Sequence, residues 1–245
     1  MPSQIGSRMA FQNAANAVKR AGLNPSSAVL SQSYLRLEVP LTASATSYKF
    51  DVLVNESVNG TINTQQKLNL QDAFVANQIG FFLGIPSSST DTTFRLLTYP
   101  MINATAGQNT ATVGTFVYNA TLASNTAAQA FTIYNGFMQL TVNQRTVITA
   151  WDLMRHLYIP PTQAGSTSAT TAAVVSMGSV YHANDDQFSG ADFSMYPTEP
   201  NVVIAGNKKN DLTVTLPTAP AAIPSNARLI CIIRGILAQN VTPIN

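Results

Sequence analysis

The segment Phe137-Met-Gln-Leu-Thr-Val142 is followed by Asn143-Gln144 and then by Arg145-Thr-Val-Ile-Thr149. Two runs rich in β-branched and apolar residues, separated by two polar residues, are typical of a β-hairpin. The turn is not the favoured Asn-Gly pair, so the pattern leaves the exact register open. This hairpin is the clearest local signal in the chain, and it indicates an antiparallel sheet.

Further short runs of strand character lie on both sides of the hairpin. In residues 48–54, Tyr48, Phe50, Val52 and Val54 fall on one face, and the polar residues Lys49, Asp51 and Asn55 fall on the other, as in a half-buried strand. Similar runs lie at 33–39, 93–98, 112–118, 130–134, 173–181, 201–205, 212–216 and 228–237. Turn signals such as Asn59-Gly60 and Pro160-Pro161 separate them. About a dozen strands divided by turns predict an all-β sandwich or barrel. The apolar run 72–83 fits either a buried strand or an apolar helix.

Two helices are expected beside the strands. Residues 1–30 form one unit, in which Phe11, Ala14, Val18 and Ala21 recur at helical spacing before Gly22. This helix either packs on its own domain or forms an arm that contacts a neighbour, a genome or a lipid surface. A second, short helix is expected near residues 150–158. The remaining residues, 31–245, are assigned to the β-sandwich region.

Composition excludes several classes of protein. The chain has 245 residues, of which 45% are hydrophobic and only 10% are charged, with a net charge of +2. Disorder driven by charge, a coiled coil and a disulfide scaffold are therefore excluded, the last because Cys231 is the only cysteine. Neither a signal peptide nor a transmembrane run is visible, so we expect a product made in a cytoplasm.

No catalytic constellation emerges from the residues. Only His156 and His182 could supply an imidazole base, and neither lies near a nucleophile motif. Together with His182, Asp185 and Asp186 could contact a hard cation, but a polar surface turn explains them more simply. The basic residues are scattered, and the aromatic residues are not interleaved with Arg or Lys as in a stacking platform for single strands. We expect no enzyme activity, no metal site and no cofactor.

Several segments resemble the major capsid proteins of tailless icosahedral bacteriophages with jelly-roll shells, some of which contain lipid. The segments that carry this resemblance are Lys67-Leu-Asn-Leu-Gln-Asp-Ala-Phe-Val75, Ile79-Gly-Phe-Phe-Leu83, Tyr134-Asn-Gly-Phe-Met-Gln-Leu-Thr-Val142 with Trp151, Val203-Ile-Ala-Gly206, Leu212-Thr-Val-Thr-Leu-Pro217 and residues 228–237. The resemblance covers about a third of the chain. It implies a jelly-roll-type antiparallel β-sandwich, either single or a compact double one divided near residues 122–128. It also implies trimeric or pentameric units in a shell, with the N-terminal helix facing inward.

The leading hypothesis is a self-assembling subunit of a virion shell. Its partners would be copies of itself and other virion proteins, with weak contacts to packaged nucleic acid or an internal membrane. Arg8, Lys19 and Arg20 are the expected inward contacts. Small uncharged side chains suit such a role because few charges must be desolvated at each interface. The alternative is a receptor- or glycan-binding β module of a phage fibre or adhesin, using loop aromatics such as Tyr99, Tyr118 or Tyr181.

Overall fold

The computed structural model describes residues 4–56, 64–86, 94–98, 131–157, 166–167, 175–176, 194–223 and 225–244. One α-helix, α1 (Gln4–Arg20), precedes the strands. The strands are β1 (Leu23–Asn24), β2 (Val29–Pro40), β3 (Ser47–Phe50), β4 (Ala73–Pro86), β5 (Phe94–Leu97), β6 (Phe137–Val142), β7 (Arg145–Asp152), β8 (Ser166–Thr167), β9 (Val175–Ser176), β10 (Tyr196–Ala205), β11 (Asn210–Thr215), β12 (Arg228–Gln239) and β13 (Thr242–Pro243). Two single-turn 3₁₀ helices span Phe131–Asn135 and Leu153–His156.

Two antiparallel sheets carry the fold. The larger sheet has the order β10–β4–β12–β2, and β5 pairs with the end of β4. The smaller sheet has the order β3–β11–β6–β7. Strands before and after residues 122–128 share both sheets, since β2 pairs with β12 and β3 pairs with β11. The strands of these two sheets therefore form one sandwich, β1–β13 and β8–β9 form separate two-stranded sheets, and the all-β prediction is confirmed at that level.

The main core lies between the two sheets. The larger sheet contributes Phe81 and the smaller one Phe50, and their rings meet edge to face with centroids 6.1 Å apart. Tyr134 is buried beside them and its hydroxyl donates a hydrogen bond to the carbonyl of Phe81, at 3.2 Å. Burying such aromatic side chains supplies much of the hydrophobic stabilisation of a sandwich.

Helix α1 covers part of the outer face of the larger sheet. Its apolar stripe, with Ala14, Ala17 and Val18 buried, packs on Val75 of β4 and Ile236 of β12. Small residues on the helix let it lie close to the sheet. The structure therefore agrees with the first of the two interpretations of the N-terminal helix, in which the helix packs on its own domain.

The segment that follows α1 pairs with the last strand of the chain. Strand β1 pairs with β13, so that Leu23 lies opposite Pro243. The carboxylate of Asp72 accepts a hydrogen bond from the backbone N–H of Asn240, at 3.0 Å. These contacts hold the segment that follows α1 and the last described residues together at one end of the sandwich.

The predicted hairpin is confirmed. Strand β6 pairs with β7 across Asn143 and Gln144, which have φ angles of 52° and 62°. Two consecutive positive φ angles are the signature of a type I′ turn, whose twist matches that of the strands. The ambiguous run 72–83 lies in β4, where it is paired along both edges.

Three sequence-based expectations were wrong in detail. The helix near 150–158 is not an α-helix, because Trp151 and Asp152 continue the ladder with β6 and only one 3₁₀ turn follows. The strand expected at 130–134 is also a 3₁₀ turn over the residues that the structure describes. Strand β3 ends at Phe50, because the Glu56 carboxylate accepts the backbone N–H groups of Val52 and Leu53 and turns the chain. The strand expected at 112–118 lies outside the described residues.

Candidate interaction surfaces

The basic residues of the N-terminal helix occupy its last turn. Lys19 and Arg20 are exposed there, a position where cations interact favourably with the helix dipole. They line an open groove of about 750 Å³, whose opposite wall is the segment Glu199–Asn201. The structure therefore brings two of the three predicted contact residues together. Arg8 lies within α1, and its side chain is outside the described part.

His156 lies at the centre of a buried cluster of side chains just after the end of β7. The indole N–H of Trp151 donates a hydrogen bond to His156 Nε2 at 2.8 Å, and His156 Nδ1 lies 2.7 Å from the carbonyl oxygen of Ser194. Because Nε2 accepts, the proton of the neutral ring is on Nδ1, which donates to Ser194. The pKa of His156 is lowered to about 4, mainly by burial of the ring; the hydrogen bond to Ser194 opposes this shift, and the neighbouring Arg155 contributes to it. The ring is therefore neutral at pH 7, with both nitrogens occupied by protein groups.

Aromatic contacts complete this cluster. The His156 ring meets Phe81 and Tyr196 edge to face, with centroids 5.4 and 5.3 Å apart. The Arg155 guanidinium lies 4.4 Å from the Trp151 ring centroid, within cation–π range. The cluster ties the end of β7 in the smaller sheet to the start of β10 in the larger one. The sequence indicated a half-buried His156 on a helix, whereas the structure buries it completely after a strand.

The other candidate residues are distributed as follows. His182, Asp185, Asp186, Tyr99, Tyr118 and Tyr181 all lie outside the described residues. Among the residues that the structure does describe, no group of three or more His, Cys, Asp or Glu side chains could hold a metal ion. Cys231 is buried in the core, and burial raises the pKa of its thiol well above the usual value.

A groove of about 340 Å³ runs along the seam between the two sheets. Strand β7 forms one wall and the segment Thr198–Val203 of β10 forms the other. Within the described part of the chain, the outer edge of β7 has no partner strand. Between Arg145 and Asp152 the strand carries no charge, and its register with β6 shifts twice. Such bulges twist an edge and disfavour a continuous ladder with another strand. The seam is therefore suited to side-chain contacts.

Apolar side chains are also exposed on the β6–β7 side of the smaller sheet. Phe137, Val147 and Met154 are 41%, 44% and 42% exposed, on β6, on β7 and in the turn that follows β7. Surfaces with few charges cost little to desolvate, so this side can be buried against another protein.

No family model, curated protein or solved structure matches this chain. Over the described ranges, no helix combines the length and apolar character that a membrane crossing requires.

Proposed function

We propose that the fold is a single jelly roll and that the protein is a self-assembling subunit of a virion shell. The observation that carries this proposal is the nested pairing of eight strands, which are the four strands of the smaller sheet and the four strands of the larger sheet other than β5. In chain order these strands are β2, β3, β4, β6, β7, β10, β11 and β12. The first pairs with the eighth, the second with the seventh, the third with the sixth and the fourth with the fifth. A long antiparallel hairpin rolled into two sheets has this nested order, and jelly rolls combine eight strands in two Greek keys.

The filled interior favours a structural role over a catalytic one. Jelly rolls occur in viral shells, in lectin domains and in cupins. A jelly roll that acts on a small molecule inside its sandwich needs a cavity with convergent polar groups. In the described residues, the space between the sheets is filled by apolar side chains such as Phe50, Phe74 and Leu140. Both nitrogens of His156 are held by neighbouring protein groups.

The surface chemistry supports repeated self-association. Only 10% of the residues are charged, so few ions lose water when copies meet. Closed shells are built from symmetric contacts, and stable interfaces bury about 1,600 Å² in total. We place one such contact at the seam and the exposed apolar residues beside it, Phe137, Val147 and Met154. Because bulges interrupt β7, the contact would be made by side chains.

A matched pair of variants tests this contact. Val147 on β7 and Val54 after β3 are both exposed valines, at 44% and 53%. We expect Val147→Lys to lower self-association of the purified chain in sedimentation velocity, because association would then bury the lysine charge in the interface without a partner. The control Val54→Lys should sediment as the unaltered chain does. If the unaltered chain remains monomeric at every protein concentration and every salt concentration, the proposed function is contradicted. Equal effects of the two substitutions would contradict the placement of the contact.

A further inference from the structure

A third groove crosses the outer face of the larger sheet beside α1. Its floor contains one residue from each of four neighbouring strands: Tyr34 of β2 lies opposite Arg234 of β12, which lies opposite Gln78 of β4, which lies opposite Pro197 of β10. All four residues line the same groove of about 860 Å³. Since neighbouring strands lie about 4.8 Å apart, this row spans about 14 Å.

The charge on this face is positive. Glu38 is completely buried, and it is held by Arg36 at 2.7 Å and by Arg228 at 2.9 Å. One carboxylate is thus shared by two guanidinium groups, and Arg234 adds a third cation to the same face. Lys19 and Arg20 lie on α1, which packs on this face, and Glu199 lies across a groove from them, so basic residues still outnumber acidic ones here. The surface is therefore complementary to an anionic partner.

Tyr34 gives this basic face an aromatic platform. Its side chain is 52% exposed, and it lies on the sheet between Arg36, two residues along the same strand, and Arg234, directly across. The amides of Gln32 and Gln78 line the same groove. Single-stranded nucleic acids are bound by this combination, in which bases stack on aromatic rings and arginines contact phosphates.

We propose that this groove binds single-stranded nucleic acid through Tyr34, Arg36 and Arg234. The exposed tyrosine ring offers a stacking surface that an acidic peptide without aromatic side chains would not use, and the neighbouring amide side chains can accept and donate hydrogen bonds to base edges. This inference rests on the proposed function in one respect, which is that the packaged genome would be the natural ligand. In that case this face of the larger sheet would point toward the interior of the shell. The main contact would then lie away from the helix end predicted from the sequence.

Binding of a short fluorescein-labelled oligothymidylate, followed by fluorescence anisotropy over a range of salt concentrations, tests the proposal. We expect Tyr34→Ala to weaken binding at least about fivefold, because one base loses its stacking partner. Tyr34→Phe should bind as the unaltered chain does. We expect Arg234→Gln to weaken binding and to reduce the slope of log K against log salt by about 0.7, whereas Arg234→Lys should retain that slope.

Arg145→Gln is the matched control, because it removes the same charge from the smaller sheet, at the start of β7. If Arg145→Gln weakens binding as much as Arg234→Gln does, binding follows overall charge and the proposal is overturned. It is also overturned if Tyr34→Ala binds normally, or if the unaltered chain prefers duplex DNA or polyglutamate. Thermal melting of each variant confirms that it is folded. Self-association is measured separately through Val147→Lys, so a failure of the groove is distinguishable from a failure of shell assembly.

Discussion

Acid should destabilise this protein through His156. The folded chain keeps the imidazole neutral, with a pKa of about 4 against an ordinary value of 6.5, mainly because the ring is buried. Above pH 6.5 the ring is neutral in both the folded and the unfolded state, so the full stability is present. As the pH falls below 6.5, the unfolded chain binds a proton that the folded chain excludes. The free energy of unfolding therefore falls until the pH approaches 4.

The gap between the two pKa values sets the size of this effect. One pKa unit corresponds to about 1.4 kcal/mol, so His156 should account for about 3 kcal/mol of lost stability between pH 6.5 and pH 4. Protonation also places an N–H at Nε2 against the indole N–H of Trp151, which removes the hydrogen bond between the two rings. The connection between β7 and β10 should weaken with it.

Denaturant titrations at several pH values measure the effect. As the pH falls, the free energy of unfolding of the unaltered chain should decrease by up to about 1.4 kcal/mol per pH unit more than that of His156→Gln, because glutamine does not titrate. His182 is present in both proteins, so its titration cancels in the comparison. Trp151 is the only tryptophan, and its fluorescence reports the contact directly. Equal slopes of stability against pH in the two proteins would refute the reasoning.

Three further outcomes are expected from the packing. Val18→Asp should destabilise the chain by about 3 kcal/mol or more in urea titrations, since it buries a charge between α1 and the sheet, whereas Asn16→Asp on the exposed face should have little effect. Gly235→Ala should lower the melting temperature, because its Cβ would overlap the carbonyl oxygen of Val75, and an unchanged melting temperature would contradict that crowding. Cys231 should resist a thiol reagent at neutral pH until the chain unfolds, because the thiol is buried and its pKa is raised; rapid labelling of the native protein would be inconsistent with the core described.

The strands of this fold were largely predictable from local pattern. Residues 137–149 carry a complete hairpin signal, and the alternation within 212–216 locates β11 to within a few residues. The apolar stripe of α1 at Ala14 and Val18 was predictable for the same reason, since apolar residues recur there with the 3.6-residue period of a helix. Sequence could not decide the state of 72–83, because a strand buried on both faces has no periodicity to distinguish it from an apolar helix.

The candidate surfaces depend on pairings that are distant in sequence. Tyr34 and Arg36 are separated by one residue, which hinted at a common strand face, but Arg234 reaches that face only through the pairing of β2 with β12. For this reason the sequence indicated no aromatic platform among basic residues. The burial of His156 was also missed, because it depends on Ser194 and Phe81, which come from other elements. Long-range register, rather than local propensity, decides these sites.

Negative-stain electron microscopy of the purified chain, together with light scattering across concentration and salt, tests the central claim most directly. We expect closed shells, flat sheets, or discrete trimers or pentamers, since a shell subunit buries its uncharged surfaces against copies of itself. A monomer under all of these conditions would contradict the proposal that this protein builds a shell.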